Sequence, residues 1–494
     1  MCRSSYRAAS AARDNAQMTG CIAAGHPLTA EAGAAVLRDG GNAVDAAVAA
    51  ILASWAAEPL LTGPGAGGYM LVAGAGEKPA LLDFFVAAPG DGADVSARAE
   101  LVPAEVSFGD ALQVFHCGAA SCGVYGMTAG LAAALERWGS VDAATLAAAA
   151  ARLARDGVPV NAAQAYVFNL LAPILLSTKG SRGEFARDGA VLREGEPFRS
   201  PELADTIERF GTDGAAPFYS GDIAAAVLAC VEPRGGQLTA ADLAAYAPQL
   251  REPVSVSYRG RRVLTNPPPS AGGTLLAVSL AHLDAADGPP SPQQLVTAME
   301  TAQALRTPEF ASRLGSTTHI SVLDGDGRAC AVTCTNGEGS GIVVPGTGIH
   351  LNNVMGEEDL NPRGFFAFPP GRRMPSMMSP TVVLGDDDSV ELVLGSAGSN
   401  RIRSAILQVI AGVVDHGLGA QNAVLAPRLH FENGLVYAEP GADGEALDGD
   451  REVVAFRDRN LFFGGAQAIE RDRVTGAVSG AGDPRRGGAS VSVA

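Results

Sequence analysis

The sequence predicts an α/β (α+β) globular protein, and three observations predict it. Hydrophobic residues fill 47% of the 494 positions against 18% charged, enough for a large core. Alanine-rich stretches of helical periodicity alternate with short apolar runs of strand length. Residues 317–323 and 328–335 form two strand-like runs around Asp324-Gly325-Asp326-Gly327, which reads as a hairpin. Length alone allows about three domains or one large α/β unit.

In chain order, residues 26–55 read as two helices broken at Gly40-Gly41-Asn42. A glycine-rich turn at 62–68 leads into strands at 69–72 and 80–85. Helical periodicity returns at 129–139, 143–157 and 222–230. Residues 254–258 and 262–264 flank Arg259-Gly260 as a second hairpin. Pro267-Pro268-Pro269-Ser270-Ala271-Gly272-Gly273 is expected to be a stiff loop, neither helix nor central strand. Beyond the 317–335 hairpin come strands at 381–384 and 390–394 and a helix at 404–414.

A formal charge of −17 repels phosphate backbones and anionic lipid surfaces, which argues against nucleic acid and membrane as partners. Every apolar stretch is interrupted before the roughly 20 residues that a membrane helix needs. The first twenty residues carry Arg3, Arg7 and Arg13 without a continuous apolar run, so a cytoplasmic location is expected. The seven cysteines are odd in number and widely spread, and lack zinc-ligand spacing, so they are expected to be buried thiols.

Several motifs dissolve on inspection. Gly63, Gly65 and Gly68 match GxGxxG, but helix precedes and strand follows, the reverse of a dinucleotide site. Asp324 to Gly327 lacks the third acidic ligand and distal glutamate of a calcium loop. No GxSxG elbow occurs, and His319 alternates on a strand as a structural residue would. One further segment is Thr317-Thr318-His319-Ile320-Ser321-Val322-Leu323-Asp324, although two threonines before a strand are in themselves ordinary, because threonine favours strands. A threonine hydroxyl needs a close base, and its own α-amine serves once that residue becomes a chain terminus, with a pKa near 8 suited to neutral pH.

That segment resembles the start of the small subunit in the γ-glutamyltransferase family after self-cleavage. The similarity continues collinearly through Gly40 to Ala47, Glu58-Pro59, Gly67-Gly68, Asp83-Phe84, Ala88-Pro89, Arg259-Gly260, Pro267 to Gly273, Leu351-Asn352-Asn353, Met378-Ser379-Pro380 and Gly395-Ser396. The resemblance implies an αββα four-layer sandwich of the N-terminal-nucleophile hydrolase type. It also implies one precursor cut between Ser316 and Thr317 into a large subunit, 1–316, and a small subunit, 317–494, which pair as a heterodimer in one folded unit. Thr317 would be the nucleophile and Thr335 its orienting partner. Backbone N–H groups of Gly398 and Ser399 would form the oxyanion hole. No cofactor or metal is implied, and the substrate would be a small amide or peptide.

The acyl pocket departs from the family pattern. Phe85 stands where an arginine would grip the glutamyl carboxylate, and loss of that partner costs roughly 2–5 kcal/mol of recognition unless another cation, such as Arg372 or Arg373, replaces it. Val354 replaces a glutamine, Glu357 an aspartate, and Met377 the second of a serine pair begun by Ser376; Ser399 replaces a glycine. Asn336 aligns with a substrate-binding asparagine. The resemblance therefore implies a γ-glutamyltransferase or glutathione hydrolase, with an acylase for a non-glutamyl amide as the alternative. A non-catalytic binding protein on the same fold is the reading from another class.

Overall fold

Strand alternation divides the side chains of this chain between two cores. The computed structural model describes residues 20–107, 112–305, 317–361, 363–444, 447 and 451–494. Its two main sheets use β1 (Gly20–Ala24), β2 (Gly67–Gly74), β3 (Glu77–Phe84), β4 (Gln249–Arg251), β5 (Val254–Tyr258), β6 (Arg261–Thr265), β7 (Thr318–Leu323), β8 (Arg328–Thr335), β9 (Thr381–Leu384), β10 (Val390–Ala397), β11 (Gly465–Arg471), β12 (Val478–Ala481) and β13 (Ala489–Val493). The first sheet runs β4-β3-β2-β8-β7-β1-β13 and the second β5-β6-β9-β10-β11-β12. Both are antiparallel throughout.

In the first sheet Ile22, Met70, Val72, Ile320, Val322 and Val332 point outward into a helix-covered core. Their neighbours Ala23, Leu71, Leu323 and Ala331 point inward, against Val383 and Leu392 of the second sheet. The helices on the outer surfaces are α1 (Pro27–Arg38), α2 (Ala43–Ala57), α3 (Met127–Trp138), α4 (Ala143–Asp156) and α5 (Pro201–Asp213) on the first sheet's side. On the second sheet's side lie α6 (Ala271–Asp284), α7 (Pro292–Ala304) and α8 (Arg401–Val414). This is the four-layer αββα sandwich.

Local chemistry explains why the layers start where they do. His26 caps α1 by accepting the Leu28 N–H at 3.1 Å, with Pro27 preorganised in the first turn. Asn42 and Asp45 make a capping box at α2, whose fifteen residues are all buried, as a helix apolar all round must be. Asp324 then locks the hairpin turn to that helix: one carboxylate oxygen accepts the N–H groups of Asp326 and Arg328, the other that of Ala43 at 2.9 Å.

One expected element differs. Residues 271–273 are not loop; they open α6, where the Ser376 carbonyl accepts the Ala271 N–H at 2.8 Å. A Cβ at Gly272 would fall 2.1 Å from the Met377 carbonyl oxygen, and one at Gly273 2.1 Å from that of Asn266. The glycines let the helix start press against neighbouring backbone, a tertiary gain that overrides their poor helix propensity.

Candidate active site

The site builds outward from the β7/β8 hairpin. Thr318 pairs with Cys334 and Thr335 with Gly67 of β2, so continuing the β7/β8 register by one residue sets Thr317 opposite Thr335. By parity both belong to the face that looks into the space between the sheets, and both are buried. Thr335 Oγ1 accepts the Gly337 N–H at 2.9 Å. Ser316, the other side of the expected cut, lies outside the described residues.

Two residues along the same face, His319 is held between neighbours. Its Nδ1 lies 2.7 Å from Thr333 Oγ1 and its Nε2 3.0 Å from Ser321 Oγ, and the ring lies flat against Gly395 of β10. Burial pushes its pKa down to about 3, so it is a neutral structural histidine, as its alternation suggested.

After Thr335 the chain turns sharply. Asn336 is fully buried; its N–H bonds the Leu61 carbonyl at 3.1 Å and its Nδ2 the His350 carbonyl at 3.1 Å. Gly337 has φ +64°, and a Cβ there would come 2.1 Å from Asn353 Oδ1 and 2.5 Å from Glu357 Oε1. The glycine thus brings Asn336 and Glu357 to one side of the hairpin end. Asn353 Oδ1 also accepts the Glu338 N–H at 2.9 Å.

Gly398 and Ser399 close β10 just before the N-cap residue of α8, Asn400, where the helix dipole is positive. Both have positive φ, +112° and +48°. The Arg486 guanidinium sits 3.4 Å from where a Gly398 Cβ would be. Arg486 also lines a small cavity with Gly25, Glu58, Leu61 and Leu461, tying this corner to the hairpin end. Ser376 lies elsewhere on the rim: its Oγ accepts the Met378 N–H at 2.9 Å, and its carbonyl takes the Ser270 hydroxyl at 2.9 Å.

Phe85 occupies the inter-sheet core, fully buried and stacked on Tyr69 at 5.5 Å between centroids. The Tyr69 hydroxyl is buried there without a hydrogen-bond partner among the described residues. Arg373 is already engaged: its Nε lies 3.4 Å from Asp83 Oδ1, and its guanidinium covers the Tyr246 ring at 4.2 Å. Arg372 is exposed and borders a groove of about 310 Å³ walled by Pro268, Ser270, Leu275, Phe368 and Pro375, next to Ser376.

Sequence reasoning passed over two residues that border this corner. Glu58 was visible only as part of Glu58-Pro59, and nothing local signals that its carboxyl reaches β7. Arg486 lies 169 residues from Thr317 in the chain, and only the folded sheet order brings it to this corner. The cysteines at 21, 117, 122, 230, 330 and 334 are buried thiols as expected. Among the described residues no single helix is long and apolar enough to cross a membrane.

Comparison with known proteins gives consistent matches. The family model for Gamma-glutamyltranspeptidase matches residues 29–312 and 300–493. A glutathione hydrolase proenzyme of Pseudomonas aeruginosa is 31% identical, with 96% of this chain and 94% of that protein covered. The Acylase ACY 1 proenzyme of Pseudomonas sp. (strain SE83) is 28% identical over 93% of this chain and 89% of its own length. Among solved structures, a cephalosporin acylase from Bacillus halodurans superposes with a TM-score of 0.83 at 27% identity, covering 96% of both chains.

Proposed function

This chain belongs to the γ-glutamyltranspeptidase family of hydrolases and transferases, and from that premise we propose that Thr317 is its self-cleaving nucleophile. The observation that carries the reading is the hairpin register, which sets Thr317 opposite Thr335 at the buried end of β7. In the precursor the Thr317 hydroxyl attacks the Ser316 carbonyl carbon; the C–N bond breaks, the acyl group moves to oxygen and the amine takes the proton. Water then cleaves the ester, releasing a carboxylate at Ser316 and a free amine at Thr317. The product is a heterodimer of 1–316 and 317–494.

In turnover that amine takes the hydroxyl proton as Oγ attacks the substrate amide. The Gly398 and Ser399 N–H groups, beside the positive end of α8, receive the developing oxyanion. Collapse expels the amine half with the proton, and water or a second amine resolves the acyl-enzyme. Asn336, Glu357 and Ser376 bind the acyl group.

Two donors fit this machinery. A γ-glutamyl donor such as glutathione is supported by the glutathione hydrolase relatives. A non-glutamyl acyl amide is supported by the acylase relatives and by one feature of the pocket. Phe85 is stacked in the core where a carboxylate clamp would stand, and Arg373 is spent on Asp83 and Tyr246.

Intact mass, followed by turnover of a γ-glutamyl anilide beside simple acyl anilides, separates the readings. Two fragments meeting at 316/317 with γ-glutamyl turnover support the glutathione hydrolase reading, and fragments with only other acyl turnover support the acylase. Thr317→Ala is expected to leave one uncut, inactive chain; normal cutting in that variant sinks the nucleophile assignment.

A further inference from the structure

Alternation turns Thr318, the neighbour of Thr317, the other way, into the helix-covered core. Its hydroxyl donates to Glu58 Oε2 at 2.7 Å, while the Thr29 hydroxyl of α1 donates to Oε1 at 2.8 Å. Glu58 ends α2 and is 3% exposed. Gly25 closes over the contact: a Cβ there would lie 2.3 Å from Glu58 Oε2 and 2.9 Å from Thr318 Oγ1. The turn that follows is fixed by the Leu61 N–H on the Glu58 carbonyl, and the Leu61 carbonyl in turn holds the Asn336 N–H. One short segment thus braces both ends of the hairpin that carries Thr317 and Thr335.

A fully buried carboxyl with only hydroxyl partners is costly unless it does something, because burial disfavours its charge. Burial pushes the Glu58 carboxyl upward, the Thr318 and Thr29 hydroxyls oppose this by each donating to one of its oxygens, an arrangement that suits a carboxylate, and no ion pair to it is found among the described residues. The charged and titratable groups around it are otherwise occupied. Arg485 and Arg486 line the adjoining cavity, but Arg485 is held by Asp483 and Glu439 and Arg486 reaches the Leu461 carbonyl. The Cys334 thiol on β8 is pushed up to about 12, and His26, capping α1, is pushed down to about 4; neither carries charge at neutral pH.

We propose that Glu58 is a positioning residue: through the Thr318 hydroxyl it fixes the peptide bearing Thr317, and it places a negative charge beside the amine that self-cleavage frees. The proposal rests on Thr317 being the nucleophile. Before the cut there is no amine, and the carboxyl serves as a hydrogen-bonded anchor. After the cut an ammonium group appears one residue from the Thr318 anchor, and the carboxylate raises that amine's proton affinity.

The test uses the full chain, with Glu58→Gln, Thr318→Val and Thr318→Ser, each checked first by intact mass for cutting. The profile of kcat/KM against pH is then measured on the anilide that the parent turns over best. Glu58→Gln is expected to move the acidic limb about one unit to lower pH, because removing the negative charge makes the amine less basic. Thr318→Val is expected to lower kcat about tenfold with KM little changed, and Thr318→Ser to recover it. A cut Glu58→Gln enzyme with an unmoved limb, or Thr318→Val with the parent's kcat, overturns the proposal. Should Glu58→Gln fail to fold, the Thr318 pair alone decides it. A parent chain that is never cut at 316/317 overturns the nucleophile reading itself and is seen before any variant is made.

Discussion

Thr335 shows how much one hydroxyl is asked to do. It accepts the Gly337 N–H, which sets the turn carrying Asn336, and it stands across the ladder from Thr317. Thr335→Val keeps the shape and removes the polar atom, leaving a buried N–H without its acceptor. The expected result is a cut chain, or one cut slowly, whose kcat falls by about one to two orders of magnitude; steady-state kinetics beside intact mass measures both. At the same scale, four buried histidines set an acid limit. His26, His319, His350 and His430 are pushed down to about 4, 3, 4 and 4. Their folded pKa values lie below the unfolded value near 6.5, so the unfolded chain binds more protons and stability falls as pH drops below that value. At pH 5 each contributes a loss of up to about 2 kcal/mol. Urea midpoints at pH 7.5 and pH 5 should show the loss, and His319→Gln should lessen it.

At the scale of elements, the close approach of β7 to β10 depends on an absent side chain. The His319 ring lies where a Cβ on Gly395 would stand, 2.2 Å away. Gly395→Ala must push the sheets apart or rotate the ring off Thr333 and Ser321. It is expected to cost about 1–3 kcal/mol in chemical unfolding and to slow cutting, since β7 carries Thr317. Much at this scale was legible in the sequence. The return strand 328–335 and the strand 381–384 are found as periodicity placed them, because Arg328–Thr335 and Thr381–Leu384 follow strand alternation and begin or end at turns. The start of α6 was not legible, because its glycines are justified only by backbone from residues 266 and 377. For the site, the collinear family resemblance pointed to Thr317 and Thr335, whereas the Glu58 anchor and the Asp83–Arg373 pair join residues hundreds of positions apart and leave no periodic trace.

For the whole molecule, the strand order matters more than any single contact. Strands on either side of the 316/317 junction are interleaved: β7 and β8 pair with each other and lie between β1 and β2, while β13 pairs with β1 on its far side. In the second sheet β6 pairs with β9 across the same junction. On the proposed cut at 316/317, the two pieces would share ladders and both cores. They are expected to elute together in native size exclusion and to separate only in denaturant, with neither piece giving a cooperative unfolding transition alone.

That interleaving also sets a clock. As the polypeptide leaves the ribosome, the segment holding β1 to β6 emerges first, and its central sheet has a vacancy two strands wide between β2 and β1, roughly 14 Å at ordinary strand spacing. Only the later hairpin fills it, and β13 pairs with β1 at the edge beyond. With Thr317 as the proposed nucleophile, the bond it attacks is held in place only once β7 and β8 fill that gap, so the cut would report that the central ladder is assembled.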